Sequence, residues 1–98
     1  MTKDLYELAD KVIDEQSFVD FIIALAEDWE DEQRKEKENL SSPWGPGANG
    51  WENGTIGTYL NAAAAWATAS INGLPLMAKA KNPWTRAAQI LHAGKFYE

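Results

Sequence analysis

T-I-G-T-Y-L-N-A-A-A-A-W-A-T-A-S-I-N, residues 55–72, carries the most secure helical pattern in the chain. Ile56, Tyr59, Leu60, Ala63, Trp66, Ala67 and Ile71 recur with the helical period, and Thr55 stands where an N-cap is wanted. The other side, Ala62, Ala65 and Ala69, is small rather than charged, so another backbone can approach it. This spacing predicts a central helix contacted on more than one face. Asn72-Gly73 supplies a C-terminal stop and Leu74-Pro75 an exit.

Upstream, residues 41–54 (S-S-P-W-G-P-G-A-N-G-W-E-N-G) hold Gly45, Gly47, Gly50 and Gly54, two prolines and two Asn-Gly steps. Such a composition favours turns and positive φ over regular structure. Only Trp51 and Glu52 separate Asn49-Gly50 from Asn53-Gly54, too little for a strand, so two successive turns are expected.

Before this bend, Phe18, Phe21, Ile22, Leu25 and Trp29 form one helical stripe with Val19, Ile23 and Ala26 beside it. The wide apolar arc predicts burial on two sides over the first turns. Ser17 reads as the N-cap, with Asp20 in a box-like position. Glu30/Arg34 and Asp31/Lys35 pair an acid with a base four residues on, which lets the helix continue into solvent to about Glu38. Leu5, Leu8, Ala9, Val12 and Ile13 predict a shorter helix starting near Thr2 or Asp4.

Downstream of the central element, Asn82-Pro83-Trp84 is an N-cap followed by proline at the first helical position. The fourth helix then offers Trp84, Ala87, Ala88, Ile90 and Leu91 to the core. Gly94 ends it or permits a close contact. Phe96 and Tyr97, so near the terminus, imply a docked tail.

The chain has 98 residues, five tryptophans and no cysteine. That length suits a single helical domain spanning 1–98, and the missing thiols exclude disulfides, thiolate catalysis and zinc-thiolate centres. Residues 1–40 carry thirteen acids against five bases, residues 41–98 two against four, within a net charge of −6. A polyanion would be repelled by the first half, so nucleic acid is not an expected partner. The acidic half reads as solvated helix faces or as a docking surface for a basic partner protein. Acids interrupt the N-terminal segment where a secretory signal needs an apolar run, and Leu60–Ile71 is too short for a bilayer, so a cytoplasmic protein with no membrane contact is expected.

Few residues invite catalysis. Gly45, Gly47 and Gly50 match G-x-G-x-x-G but lack the strand, the helix and the βαβ context that a dinucleotide fingerprint needs. Glu27, Asp28, Glu30, Asp31 and Glu32 lack the spacing of a calcium loop and read as a solvated, acid-rich turn of helix. His92 is the only histidine and sits near a helix C-terminus, a structural position. Neither a catalytic residue, a metal site nor a cofactor is expected. Trp44, Trp51, Glu52 and Asn53 are the strongest candidates for a binding surface, because aromatics on a bend anchor interfaces; fastening a bend without secondary structure to the core is the simpler explanation of them.

Phe18 and Phe21, Trp51-Glu52-Asn53, Leu60, Trp66, Trp84 and the ending Lys95 to Glu98 together resemble a family of small bacterial all-α domains of unknown function, with a W-E-N turn, a helix bearing an internal Trp and a last helix ending in A-K-x-Y-E. The resemblance covers about residues 15–98. Gly54, Gly57 and Gly94 depart from its pattern, which implies alanine at the last of these. No activity comes with it.

The expected architecture is all-α, a four-helix domain with a long Gly/Pro/Trp-rich loop between the second and third helices. The expected function is a non-catalytic protein-interaction module of a regulatory or immunity-like kind, with a homodimer as one form. The alternative is a small-ligand-binding protein or minor enzyme with a pocket under the bend, lined by Trp44, Trp51, Tyr59 and Trp66.

Overall fold

Short polar side chains set the helix boundaries. The computed structural model describes residues 4–39, 47–72 and 82–97, which form α1 (Leu5–Asp10), α2 (Glu15–Glu38), α3 (Ile56–Asn72) and α4 (Pro83–Phe96). No strand occurs among the described residues. The Asp4 carboxylate accepts from the Tyr6 and Glu7 amides at 3.0 and 3.3 Å and opens α1. α2 begins earlier than Ser17, the cap expected from the sequence. Asp14 is the N-cap, and Ser17, at the third helical position, completes the box. Ser17 N–H donates to the Asp14 carboxylate at 2.9 Å, and Ser17 Oγ accepts from Asp14 N–H at 3.1 Å. The Ser17 N–H bond and then a second one, donated by Ser17 Oγ to Asp14 Oδ1 at 2.7 Å, hold the Asp14 carboxyl below its ordinary pKa.

Thr55 and Thr58 cap α3 reciprocally, with Thr58 N–H to Thr55 Oγ1 at 3.1 Å and Thr55 N–H to Thr58 Oγ1 at 3.3 Å. Asn82 caps α4 through Trp84 N–H at 2.8 Å, with Pro83 at the first helical position as the sequence predicts. Residues 40–46, which include Trp44 and the first part of the expected Gly/Pro/Trp-rich loop, lie outside the described residues. So do residues 73–81, with the expected Leu74-Pro75 exit, and Glu98.

The central helix is α4, not α3. It packs against α1, α2 and α3, whereas α3 packs against α4 alone among the helices. Leu5, Ala9, Val12, Phe21, Ala24, Leu25, Trp51 and Ala88 form the buried core, with Leu8, Phe18, Tyr59, Trp84 and Leu91 against it. The Phe18 and Trp84 rings meet at 5.4 Å. At its N-terminal end α4 grips the turn between α1 and α2, where Thr85 Oγ1 donates to Val12 C=O and Asn82 Nδ2 to Ile13 C=O.

Both long helices are rotated from the expected orientation. On α2 the buried positions are Phe21, Ala24, Leu25 and Glu32, while Val19, Ile22, Ile23 and Trp29 are exposed. The helix is therefore buried along one stripe and not on two sides. On α3 Ala62, Ala63 and Ser70 are buried, and Ile56, Leu60 and Ile71 are exposed. Small residues win these positions because they allow the backbones of α3 and α4 to come close, which gains more contact than a few larger side chains held further apart.

Gly94 belongs to that close approach. α4 continues through it, and a Cβ there would stand 2.8 Å from Tyr59 Cε1 and 3.0 Å from the Tyr59 carbonyl oxygen. Gly94→Ala is expected to destabilise the fold by about 1 to 3 kcal/mol through overpacking, although alanine favours an unconstrained helix by about 1 kcal/mol. Urea unfolding of the variant checks the sign. No helix among the described residues is long and apolar enough to cross a membrane.

Candidate functional site

The bend that follows α2 is fastened by carboxylates. Gly50 N–H bonds to Gly47 C=O at 2.9 Å and closes one turn. Gly50 takes up φ +85°, the left-handed region that a Cβ would oppose. The expected second turn at Asn53-Gly54 is absent, for φ of Gly54 is not positive. Glu32, 5% exposed, reaches into the turn and its Oε1 accepts from the backbone N–H of Asn49 at 2.9 Å and of Trp51 at 3.2 Å. A Cβ on Gly47 would overlap that carboxyl, so the turn needs glycine at this point for close approach.

Two more acids complete the clamp. Asp28 Oδ2 accepts from Trp51 Nε1 and from Lys95 Nζ, both at 2.8 Å. Asp31 accepts from Asn49 Nδ2 at 3.1 Å and pairs with Lys35 at 2.9 Å and with Arg34. The Asn49 amide and then Lys35 hold the Asp31 carboxyl below its ordinary pKa. Arg34 thus pairs with Asp31 rather than with Glu30. The acid-rich turn is not uniformly solvated; its inward members replace the hydrogen-bond partners that a structureless bend lacks.

The W-E-N triplet also closes the end of α4. Backbone N–H groups of Glu52 and Asn53 donate to Lys95 C=O at 3.0 and 3.4 Å, and Asn53 Nδ2 donates to Gly94 C=O at 3.0 Å and Tyr97 C=O at 2.9 Å. Helix carbonyls with no partner in their own helix are satisfied by a segment distant in sequence. Lys95 Nζ lies 5.6 Å from the centre of the Trp51 ring. The C-terminal tail is docked through these bonds, although Phe96 itself remains 42% exposed.

The sequence-derived surface is therefore divided. Trp51 is buried, Asn53 half-buried and Glu52 exposed. Tyr59 stands 6.0 Å from Trp51, ring centre to ring centre, and its hydroxyl donates to Leu91 C=O at 2.7 Å. Burial pushes the Tyr59 hydroxyl up to about 12. Trp66 is not part of this group. It sits further along α3, with the Arg86 guanidinium 5.1 Å from its ring centre, and Arg86 Nη2 donates to Ser70 Oγ at 2.7 Å. Trp44 lies outside the described residues.

Two concavities lie among the described residues. α2 and α3 are not packed against each other, and between them runs an open, apolar groove of about 410 Å³ walled by Ile22, Ala26, Trp29, Ile56 and Tyr59, with Trp51 at its base and Glu30 at its edge. The second, of about 250 Å³, lies over α4 between α1 and α3 and is lined by Tyr6, Asp10, Trp66, Gln89, His92 and Phe96. His92 meets Tyr6 and Phe96 edge-to-face at 6.2 and 5.1 Å. Desolvation, then Lys95, lower the His92 pKa against the pull of Asp4, Asp28 and Asp10. Among the described residues no cluster of His, Asp and Glu is placed to hold a metal ion.

The clamp residues Asp28, Glu32 and Lys95 are not evident from composition, yet a signal exists. Phe21, Leu25, Asp28 and Glu32 continue a single stripe at spacings of four, three and four, so the two acids stand where the core face of α2 runs on beyond its apolar part. Acids in register with buried positions, opposite a bend rich in unpaired amides, mark such a clamp.

No curated protein and no solved structure matches the chain. Residues 14–98 match the model of DUF7660, a family of unknown function, and this span contains α2, α3, α4 and the interlocked W-E-N bend. The chain therefore belongs to the DUF7660 family.

Proposed function

We propose that the protein is a non-catalytic interaction module that receives an amphipathic, basic helix of a partner protein in the groove between α2 and α3. The observation that carries this reading is the pairing of exposed apolar side chains on both walls, Ile22 and Trp29 on α2 with Ile56 on α3, with the Glu30 carboxylate and no base among the described residues that line the groove. Ile56 is 80% exposed, an unusual environment for isoleucine unless something covers it. Glu27 and Glu30 lie on the exposed part of α2, and the first forty residues have a strong acidic excess. A helix with an apolar stripe fits a groove of this kind, and basic flanks complement its charge.

A synthetic leucine–lysine helix tests the reading, followed through the Trp29 indole N–H by NMR. Saturable binding is expected, weaker at high salt and reduced about tenfold by Ile22→Asp with Ile56→Asp, a loss of about 1.4 kcal/mol. Both residues are exposed, so the double variant should fold. Equal binding by the double variant, or by a leucine–glutamate helix, would overturn it.

A further inference from the structure

We infer that the second cleft, between α1 and α3 over α4, binds a small organic cation of the methylated ammonium type. Its walls are aromatic on several sides. Tyr6, His92 and Phe96 follow one another edge-to-face, and Trp66 belongs to the same lining. Aromatic faces carry the negative part of the ring quadrupole, which attracts a cation that has little hydration to lose. Trp66 already takes part in one such contact, with the Arg86 guanidinium at 5.1 Å.

Charge favours the same ligand. Asp10 is the carboxylate in the lining, and Gln89 Nε2 donates to its Oδ1 at 2.9 Å, so the group is oriented before anything binds. None of the residues lining the cleft is a lysine or arginine. Arg86, the base beside Trp66, is held by Ser70 Oγ at 2.7 Å and Ala67 C=O at 3.3 Å. Lys95, the base nearest His92 in effect, is bound to Asp28 at 2.8 Å. Burial, then Lys95, favours the uncharged form of His92, which adds no opposing charge. Tyr6 and Phe96 are 66% and 42% exposed, which leaves the rings within reach of solute. A volume of about 250 Å³ accommodates a trimethylammonium group with a short tail. A neutral apolar ligand would gain the ring contacts but nothing from Asp10.

Choline and its uncharged carbon isostere, 3,3-dimethylbutan-1-ol, separate these cases. The full chain is titrated with each, observing the Trp66 indole N–H by NMR, with the Trp29 signal as an internal reference for the other groove. Choline is expected to produce a saturable shift at Trp66, binding about tenfold or more tightly than the isostere. Asp10→Asn keeps the Gln89 hydrogen bond and should weaken choline about tenfold while leaving the isostere unchanged. Equal affinity for the two compounds, no saturable choline shift at Trp66, or an Asp10→Asn variant that binds choline as the parent does would each overturn the inference. Retention of the parent's unfolding midpoint by Asp10→Asn shows that its effect is not a loss of fold.

Discussion

Trp51→Ala is expected to lower the unfolding free energy by about 3 to 5 kcal/mol, the range for deleting a buried large aromatic. For a protein of this size that is a large part of the total, since about 5 to 15 kcal/mol separates folded from unfolded domains. Three losses coincide. The indole fills core volume against Tyr59 and the buried part of α2. Its Nε1–H leaves Asp28, a carboxylate whose side chain is only 12% exposed, and Lys95 loses the ring beside it. Trp51→Phe narrows them, for it keeps much of the ring volume while removing the donor; about 1 to 3 kcal/mol is expected from leaving a buried charged acceptor short of one partner. Urea unfolding followed by circular dichroism measures both. A loss below about 1 kcal/mol for the alanine variant would show that the bend is not part of the core.

Glu32→Ala is expected to cost about 3 kcal/mol, because the buried Trp51 N–H and the part-buried Asn49 N–H then lose a charged acceptor. The contrast with a neighbour makes the prediction specific. Glu27 is exposed on the same helix, and Glu27→Ala should change stability by no more than about 0.5 kcal/mol. Glu32→Gln retains an acceptor oxygen without its charge and should fall between the two. The same experiment reads the bend locally, since hydrogen exchange at the Asn49 and Trp51 amides should quicken in Glu32→Ala beyond what the global loss accounts for.

These results bear on how the glycine-rich bend at residues 47–54 is built into the fold. Trp51 and Asn53 are held by α2 and α4 together, through Asp28, Lys95, Gly94 and Tyr97. The W-E-N triplet and the terminal Lys95-Phe96-Tyr97 run are two halves of one interlock. The surfaces left open by that interlock, the α2–α3 groove and the aromatic cleft, are where recognition is proposed.

Local chemistry was readable from the chain alone. Asn82-Pro83, Thr55 and the long apolar periods specify helices and their starts because capping and amphipathicity depend on residues within a turn or two of each other. The W-E-N bend was recognisable as important, and fastening to the core was one of the two explanations it allowed. What tertiary structure decided was which side of each helix faces inward. α2 and α3 carry apolar arcs wide enough to allow several rotations, and local pattern does not distinguish Trp29 outward from Trp29 inward. The choice fell to long-range terms: the close contact of Gly94 with Tyr59, the small residues that let α3 approach α4, and the unpaired amides of residues 49 and 51 that drew Glu32 into the interior. Such terms join residues tens of positions apart, so their energies exist only once the chain has closed on itself.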